Sequence, residues 1–237
     1  MHTECGIEKL NVDELPNSSF NIILGKRRSG KTILAESIVK QLFELGKVDC
    51  AFLFSPTDAG FDMISHENRF PDLEMLHTIV ANHEKINDYN KIAPKKQQIK
   101  ARTMIVLDDL ACSLKDIKNR ILESLAVLGR HKAYEPCSLS FLILAQSLTK
   151  IPKVCRLNCD TIFLAQLCSR LEQDLVFDEN LYLLDGSCEG RKKARGLYDN
   201  LARSDDFIFV VLEVHRQNCT EFKHFIKTYK AEYSEKK

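Results

Sequence analysis

The sequence predicts an α/β protein whose mainly parallel central sheet is covered by helices on both faces. Short runs of consecutive apolar residues recur along the chain, as expected for strands that are buried on both sides. Segments with apolar residues at helical spacing separate these runs, which is the alternation that a parallel sheet requires. The chain has 237 residues, of which 44% are hydrophobic, so it can bury one sizeable core. We therefore expect a single domain that spans residues 1–237.

The predicted strands are short apolar runs that end at a turn signal or a polar side chain. Six runs have this form: 21–24, 50–54, 103–107, 139–145, 161–164 and 207–214. A helix is predicted after the first run, because Leu34, Ile38 and Leu42 recur at helical spacing and Gly46 supplies a stop. A second helix is predicted after the third run. Its capping-box pattern is Ser113 with Asp116, and it ends at Gly129.

The composition excludes several classes of protein. The formal net charge is +1, so the chain is neither a histone-like cation nor an acidic disordered tail. The longest apolar run, 207–212, is far shorter than the roughly 20 residues of a membrane-spanning helix. The first residues are acidic, unlike a secretory signal, so we expect a soluble, intracellular protein. The 9 cysteines include no CxxC pair and are expected to be reduced thiols, with no structural zinc.

Two polar segments interrupt the alternation of strands and helices, and we expect both to be insertions in the domain. They are residues 82–102, which are rich in lysine, and residues 185–204. The second contains the basic run 191–195, flanked by Gly190 and Gly196. Such a run would suit a mobile loop that touches the DNA backbone, but it is also typical of an ordinary solvated loop. The residues alone leave both interpretations open.

The strongest motif lies between the first strand and the first helix. Residues 25–32, GKRRSGKT, match the phosphate-loop pattern GxxxxGK[ST] without a mismatch. In this motif backbone N–H groups surround a phosphate chain and the lysine, here Lys31, reaches the β and γ oxygens. The threonine, Thr32, binds Mg²⁺. We therefore expect ATP to be bound by the eight residues Gly25, Lys26, Arg27, Arg28, Ser29, Gly30, Lys31 and Thr32.

Two further strand ends carry polar residues suited to the same chemistry. The strand 103–107 is followed by Asp108 and Asp109, the form of a Walker B element. We expect Asp108 to hold Mg²⁺ and Asp109 to polarise the attacking water. The strand 139–145 is followed by Gln146, which is expected to sense the γ-phosphate and to orient water. Together these motifs predict a P-loop NTPase fold of the RecA-like, ASCE type.

The order of motifs resembles the genome-packaging ATPases of poxviruses and other large double-stranded DNA viruses, within the FtsK–HerA superfamily. Besides the phosphate loop and IVLDD, the resemblance rests on the pair Arg130-His131, a strand ending in Gln146, and an "IP…R.N.D" segment over residues 151–160. It covers residues 21–164. It implies a ring homo-oligomer that uses ATP and Mg²⁺ to move double-stranded DNA into a capsid. A capsid or portal partner and a location in the host cytoplasm, viral factory or virion are implied as well.

Two arginines are candidates for a finger that enters the ATP site of a neighbouring subunit. They are Arg130 and Arg156, and for each an ordinary salt bridge is an equally good interpretation. Two other functions also remain open. The first is a nucleoside or nucleotide kinase that uses the same phosphate loop, and the second is a nucleotide-gated assembly protein with little hydrolysis.

Overall fold

The computed structural model describes residues 7–57, 60–110, 120–128, 135–165, 167, 169–180, 188–202, 208–214 and 225–231. Within this part of the chain eight strands form one sheet. The strands are β1 (Phe20–Leu24), β2 (Cys50–Phe54), β3 (Arg69–Phe70), β4 (Ala101–Asp108), β5 (Cys137–Ala145), β6 (Thr161–Leu164), β7 (Ile208–Leu212) and β8 (Ile226–Lys230). The α-helices are α1 (Lys31–Glu44), α2 (Leu76–Ile92), α3 (Arg120–Leu128), α4 (Lys153–Leu157), α5 (Arg170–Asn180) and α6 (Cys188–Ala202).

The strand order is β3-β2-β4-β5-β1-β6-β7-β8, and the predicted fold class is confirmed. The first six strands run parallel, whereas β7 and β8 pair antiparallel at one side of the sheet. β5 lies between the phosphate-loop strand β1 and the Walker B strand β4, as the additional strand of an ASCE sheet does. The carboxyl ends of β1, β4, β5 and β6 therefore meet at the same edge.

Both faces of the sheet are buried because neighbouring residues of each central strand enter different cores. In β4, Ile105 and Leu107 belong to one core and Met104 and Val106 to the other. The first core is closed by apolar residues of α2, α3, α4, α5 and α6, and the second by α1 with the N-terminal segment. This double burial explains why the strands are continuous apolar runs in the sequence.

The N-terminal segment is fastened to β8. Leu10 donates its backbone N–H to the Thr228 carbonyl at 2.8 Å, and Thr228 donates in return to Glu8 at 3.0 Å. Beside these bonds the buried Lys227 ammonium lies 2.5 Å from a Glu14 oxygen and 3.4 Å from an oxygen of the buried Glu213. The first described residues thus pair with β8, the last strand of the described chain.

The two polar segments contain more regular structure than a loop. Residues 82–102 form the second half of α2, a 3-10 turn at Lys95–Gln97 and the first residues of β4. The basic run 191–195 lies in helix α6, so the expectation of a loop there was wrong. Its helix is stabilised by apolar residues that pack against the core, among them Leu197, Tyr198 and Leu201. The start of the helix predicted from Ser113 falls outside the described residues.

Candidate nucleotide site

The phosphate loop is a tight turn between β1 and α1. Gly30 has a φ of +83° and forms the N-cap of α1, while Arg28 has a φ of +62°. Gly25 has no room for a side chain, because a Cβ there would lie 2.5 Å from Ser29 Oγ and 2.6 Å from Ala165 Cβ. The glycines of the motif are therefore required by backbone conformation at Gly30 and by close packing at Gly25.

Lys31 lies inside this turn, at the first position of α1. Its ammonium donates hydrogen bonds to the carbonyls of Gly25 and Lys26, both at 2.9 Å, so it holds the loop closed from within. Burial lowers the pKa of Lys31, and the negative charges of Asp109 and Asp108 act in the opposite direction. The buried ammonium is thus held in the phosphate loop and faces both Walker B carboxylates.

The two carboxylates at the carboxyl end of β4, Asp108 and Asp109, differ in their surroundings. Burial raises the pKa of Asp108 to about 6, and the adjacent charge of Asp109 adds to this effect. The Thr32 side chain hydrogen-bonds to Asp108 and opposes the shift, as does the Lys31 charge. Asp109 adopts a left-handed backbone with a φ of +53°, a conformation that aspartate tolerates better than most residues. The structure thus brings the two residues predicted to bind Mg²⁺ into contact.

Gln146 follows β5 and contacts the second Walker B carboxylate. Its Nε2 donates a hydrogen bond to Asp109 Oδ1 at 2.9 Å. This contact is possible because β5 lies next to β4, with Leu144 paired to Asp108 in the parallel register. The predicted water-activating and sensor residues are therefore neighbours in space, although 37 positions separate them in the chain.

The residues present fit the predicted ligands, ATP and Mg²⁺. Ser29 Oγ is buried and, in the described part of the chain, has no hydrogen-bond partner. This hydroxyl lies in the turn whose N–H groups would surround the phosphates. The threonine hydroxyl and aspartate carboxylate are hard oxygen ligands, which Mg²⁺ prefers. Residues 25–32 would hold the nucleotide, and Thr32 with Asp108 would hold the metal.

Arg156 does not fit the role of an arginine finger. Its Nε and Nη2 donate to the two oxygens of Glu179 at 2.9 and 2.6 Å, and its Nη1 donates to the carbonyls of Leu148 and Ile151. The guanidinium is buried and bound within its own subunit, so a second role in a neighbour's site would require breaking this ion pair. The alternative interpretation, a salt bridge, describes Arg156. Arg130 and His131 lie outside the described residues.

The other residues of the "IP…R.N.D" segment also have structural roles. Asn158 donates to the Val154 carbonyl at 2.8 Å and caps α4. The buried Asp160 accepts the backbone N–H of Phe20 at 2.8 Å, and its own N–H donates to the Phe20 carbonyl. It fixes the beginning of β1, at the edge opposite the phosphate loop.

The basic residues of α6 do not all face solvent. Arg195 forms an ion pair with Asp174 of α5, whereas Lys192 and Lys193 are exposed. In the first polar segment Lys91 pairs with Asp88, and Arg102 pairs with Asp49. Among the side chains of the run 191–195 that the structure describes, the exposed Lys192 and Lys193 are therefore the ones suited to binding a phosphate backbone.

Sequence reasoning missed a loop that lies beside Thr32, the predicted metal ligand. Gly60 packs on Thr32, where an added Cβ would lie 3.3 Å from its Cγ2, and Phe61 donates its backbone N–H to Glu36. Arg69 fastens the same loop through the Phe61 and Ile64 carbonyls. Glu36 lies one helical turn after Thr32, on the same side of α1. This spacing was the sequence feature that could have indicated a second polar contact beside Thr32.

These features define the class of the protein as a P-loop ATPase. They are the phosphate loop after β1, the paired carboxylates at the end of β4, and the glutamine that follows β5, the strand between β1 and β4. The family described as "Poxvirus A32 protein" matches residues 7–193. The chain belongs to this family, which confirms the resemblance found in the sequence. A search of curated proteins found no matching sequence.

Solved structures of low sequence identity share the fold. The genome packaging NTPase B204 from Sulfolobus turreted icosahedral virus 2, in complex with sulfate, has a TM-score of 0.63 at 12% identity, covering 92% of this chain and 99% of that one. Its complex with ATPγS has a TM-score of 0.59 at 13% identity, with coverages of 92% and 100%. The pCW3 conjugation coupling protein TcpA, in monomer form with ATPγS, has a TM-score of 0.58 at 16% identity, with coverages of 92% and 61%.

Among the described residues, no helix is both long enough and apolar enough to cross a bilayer.

Proposed function

We propose that this chain hydrolyses ATP with Mg²⁺ and uses the hydrolysis to translocate double-stranded viral DNA into a capsid. The observation that carries the proposal is the meeting of Lys31, Thr32, Asp108, Asp109 and Gln146 at one edge of the sheet. Membership of the poxvirus A32 family and the fold shared with a genome packaging NTPase support it. The protein would act as a ring homo-oligomer with a capsid or portal component as its partner.

In hydrolysis, each of the residues at this edge of the sheet would have a separate role. The phosphate loop binds the triphosphate through its N–H groups, and Lys31 supplies a positive charge there. Thr32 and Asp108 would hold Mg²⁺, which would supply charge neutralisation at the phosphate oxygens. Asp109 accepts a proton from the attacking water, whose oxygen bonds to the γ-phosphorus while the bond to the β–γ bridging oxygen breaks. Gln146 orients the Asp109 carboxylate through the 2.9 Å hydrogen bond between them.

The DNA-binding part of the proposal rests on local charge. Lys192 and Lys193 are exposed on α6, and the chain as a whole has a net charge of only +1. A ring that presents two lysines from each subunit would surround a duplex with positive charge, while the rest of the surface would not attract DNA.

The test is ATP turnover with and without double-stranded DNA, measured alongside particle mass by light scattering. We expect an oligomer whose turnover increases with DNA. A monomer that hydrolyses ATP at a rate indifferent to DNA would contradict the motor. Turnover only in the presence of a nucleoside or nucleotide acceptor would indicate a kinase, and tight ATP binding with negligible turnover would indicate a nucleotide-gated assembly protein.

The phosphate loop can be tested with a matched pair of lysine variants on α1. Lys31→Ala is expected to abolish turnover because it removes the charge held inside the loop. Lys40→Ala removes an exposed lysine on the same helix, where the partner Glu44 is also exposed, and should leave turnover unchanged. Retained activity in Lys31→Ala would show that ATP is not hydrolysed at this loop.

Arg130 is the remaining candidate for a finger supplied by the neighbouring subunit. Mixing Arg130→Ala subunits with Lys31→Ala subunits should restore part of the activity, since some interfaces would combine an intact loop with an intact arginine. An absence of rescue would place the action of Arg130 within its own subunit.

A further inference from the structure

The Tyr198 hydroxyl connects helix α6 to the segment that follows β6. It accepts the backbone N–H of Leu167 at 2.7 Å and donates to the carbonyl of Ala165 at 2.9 Å. The ring is buried and makes an edge-on contact with Phe177 of α5, with 5.7 Å between the centroids. Leu167 and Ala165 are buried as well, so their backbone groups depend on protein partners for hydrogen bonds.

Ala165, one of the two residues held by Tyr198, packs directly on the phosphate loop. We call Ala165 and Leu167, which follow β6, the connector. Ala165 donates its backbone N–H to the Leu24 carbonyl at 2.8 Å, at the end of β1. Its Cβ also occupies the space next to Gly25, 2.6 Å from where a Gly25 side chain would begin. Because the Gly25 carbonyl accepts a hydrogen bond from Lys31, displacement of the connector would reach the catalytic ammonium.

Helix α6 joins this path to the exposed lysines described above. Tyr198 follows Lys193 by five residues, which is about 7.5 Å along a helix. Arg195, which lies between them, is ion-paired with Asp174, so α6 is also tied to α5. The lysines and Tyr198 are therefore joined by a short stretch of helix that is also ion-paired to α5.

We propose that Tyr198 is a positioning residue that sets the conformation of the phosphate loop and transmits to it the position of α6. The hydroxyl holds the connector, and the connector holds Gly25. ATP binding depends on this hydroxyl although Tyr198 does not touch the nucleotide residues. The part of the inference that concerns DNA rests on the proposed function, because it requires DNA to contact the lysines of α6.

The test compares two conservative variants that each remove one buried hydroxyl together with its hydrogen bonds to described residues. Tyr198→Phe removes the bonds to the connector. Tyr229→Phe removes the bonds to Ser37 and Gln41 in the later turns of α1 and is the matched control. A structural role alone would lower the unfolding temperature of both proteins without changing how folded protein binds ATP.

We expect Tyr198→Phe alone to weaken the binding of a fluorescent ATP analogue by about tenfold, which is of the order of the contribution of one of the two buried hydrogen bonds that it loses. Binding is measured below the unfolding temperature of both variants. Affinity equal to that of the parent protein, or an equal loss in Tyr229→Phe, would overturn the proposal. Ala165→Gly supplies a second test, because it keeps both Tyr198 bonds and removes the methyl group that packs on Gly25. It should weaken ATP binding similarly, and unchanged affinity would also contradict the proposal.

Measurements with duplex DNA separate the two parts of the inference, which are the effect of Tyr198 on ATP binding and the response to DNA through the lysines of α6. Tyr198→Phe should bind DNA as the parent protein does, but its ATP turnover should increase less when DNA is added. The double variant Lys192→Ala, Lys193→Ala should instead lose DNA affinity and retain ATP affinity. If the parent protein shows no response to DNA, the proposed motor function fails. The comparison of ATP affinities still decides the role of Tyr198.

Discussion

At the scale of single residues, two arginines form the same kind of two-point ion pair with a carboxylate but differ in their burial. Arg156 and Arg102 each bind both oxygens of a carboxylate. The side chains of Arg156 and Glu179 are only 11% and 12% exposed, whereas those of Arg102 and Asp49 are 32% and 38% exposed. Removal of a buried partner leaves an uncompensated charge, and removal of an exposed one leaves a solvated charge.

We therefore expect Arg156→Ala to lower the free energy of unfolding by about 3–5 kcal/mol. Arg102→Ala should lower it by about 0.2–1 kcal/mol. Urea titration of both variants measures the difference. Equal losses would show that burial does not set the cost of these pairs.

Glycine positions allow a second prediction at this scale. Gly25→Ala is expected to abolish ATP binding, because the added methyl group would overlap Ser29 and Ala165. Gly196→Ala meets no atom within 4 Å on helix α6 and should raise the free energy of unfolding by about 0.5–1 kcal/mol. Calorimetric titration with ATP and urea unfolding measure the two effects. Normal ATP binding by Gly25→Ala would show that the turn can open without loss of function.

The sequence predicts the site residues that belong to a local sequence pattern, and it does not predict contacts between residues that are distant in the chain. Lys31 and Thr32 belong to a contiguous motif, and Asp108, Asp109 and Gln146 each follow an apolar run. Their meeting follows from the rule that parallel strands present their carboxyl ends together. The hydrogen-bond partner of Arg156 is 23 residues away in the chain, and the partners of Tyr198 are 31 and 33 residues away. These partners lie on other parts of the fold, and no local sequence pattern indicates how those parts pack together.

At the scale of elements, the strands with continuous apolar sequence are those that the sequence predicts. The six predicted runs correspond to β1, β2, β4, β5, β6 and β7. β3 has two residues, and β8, with the sequence IKTYK, contains a lysine that is buried by pairing with acidic residues. Gly190 and Gly196, which flank the basic run, favour a loop in the sequence, but the structure has helix α6 there. Its apolar residues come mostly after that run and pack against the core.

The pair Asp49–Arg102 joins the beginnings of β2 and β4, and it predicts a dependence of stability on pH. The Arg102 side chain lowers the pKa of Asp49 mainly through hydrogen bonds. A lowered pKa in the folded state means that the stabilisation is present above the unfolded pKa, about 3.9, and is lost as the pH falls through the folded value. Asp49→Asn should therefore cost about 0.2–1 kcal/mol at pH 7 and less at pH 3. Urea unfolding at both pH values measures it, and an equal cost would contradict the ionic origin.

At the scale of the whole molecule, the net charge of +1 means that the proposed DNA binding would depend on where lysines lie on the surface. Lys192 and Lys193 project from α6, whereas Lys95 and Lys96 lie in the turn before β4, at the amino end of that strand. Both pairs are exposed, so they differ in position rather than in solvation.

We expect replacement of Lys192 and Lys193 by alanine to reduce the salt dependence of DNA binding. The slope of log K against log salt should fall in magnitude by about 2 per subunit. Replacement of Lys95 and Lys96 is the matched control and should leave the slope unchanged. Binding at a series of salt concentrations measures both, and the opposite result would place DNA at the amino end of the parallel strands.

Both outer strands of the described sheet are poor templates for a further strand. β3 is only two residues long, and the free side of β8 is partly occupied by the hydrogen bonds that it makes with residues 8–10. Exposed backbone edges are what allow sheets of separate molecules to join. The described sheet therefore offers copies of this chain little opportunity to associate by continuing one sheet into the next, which favours an interface made by side chains. Such an interface can separate and re-form without exchanging strands, which is the property that the proposed ring would need.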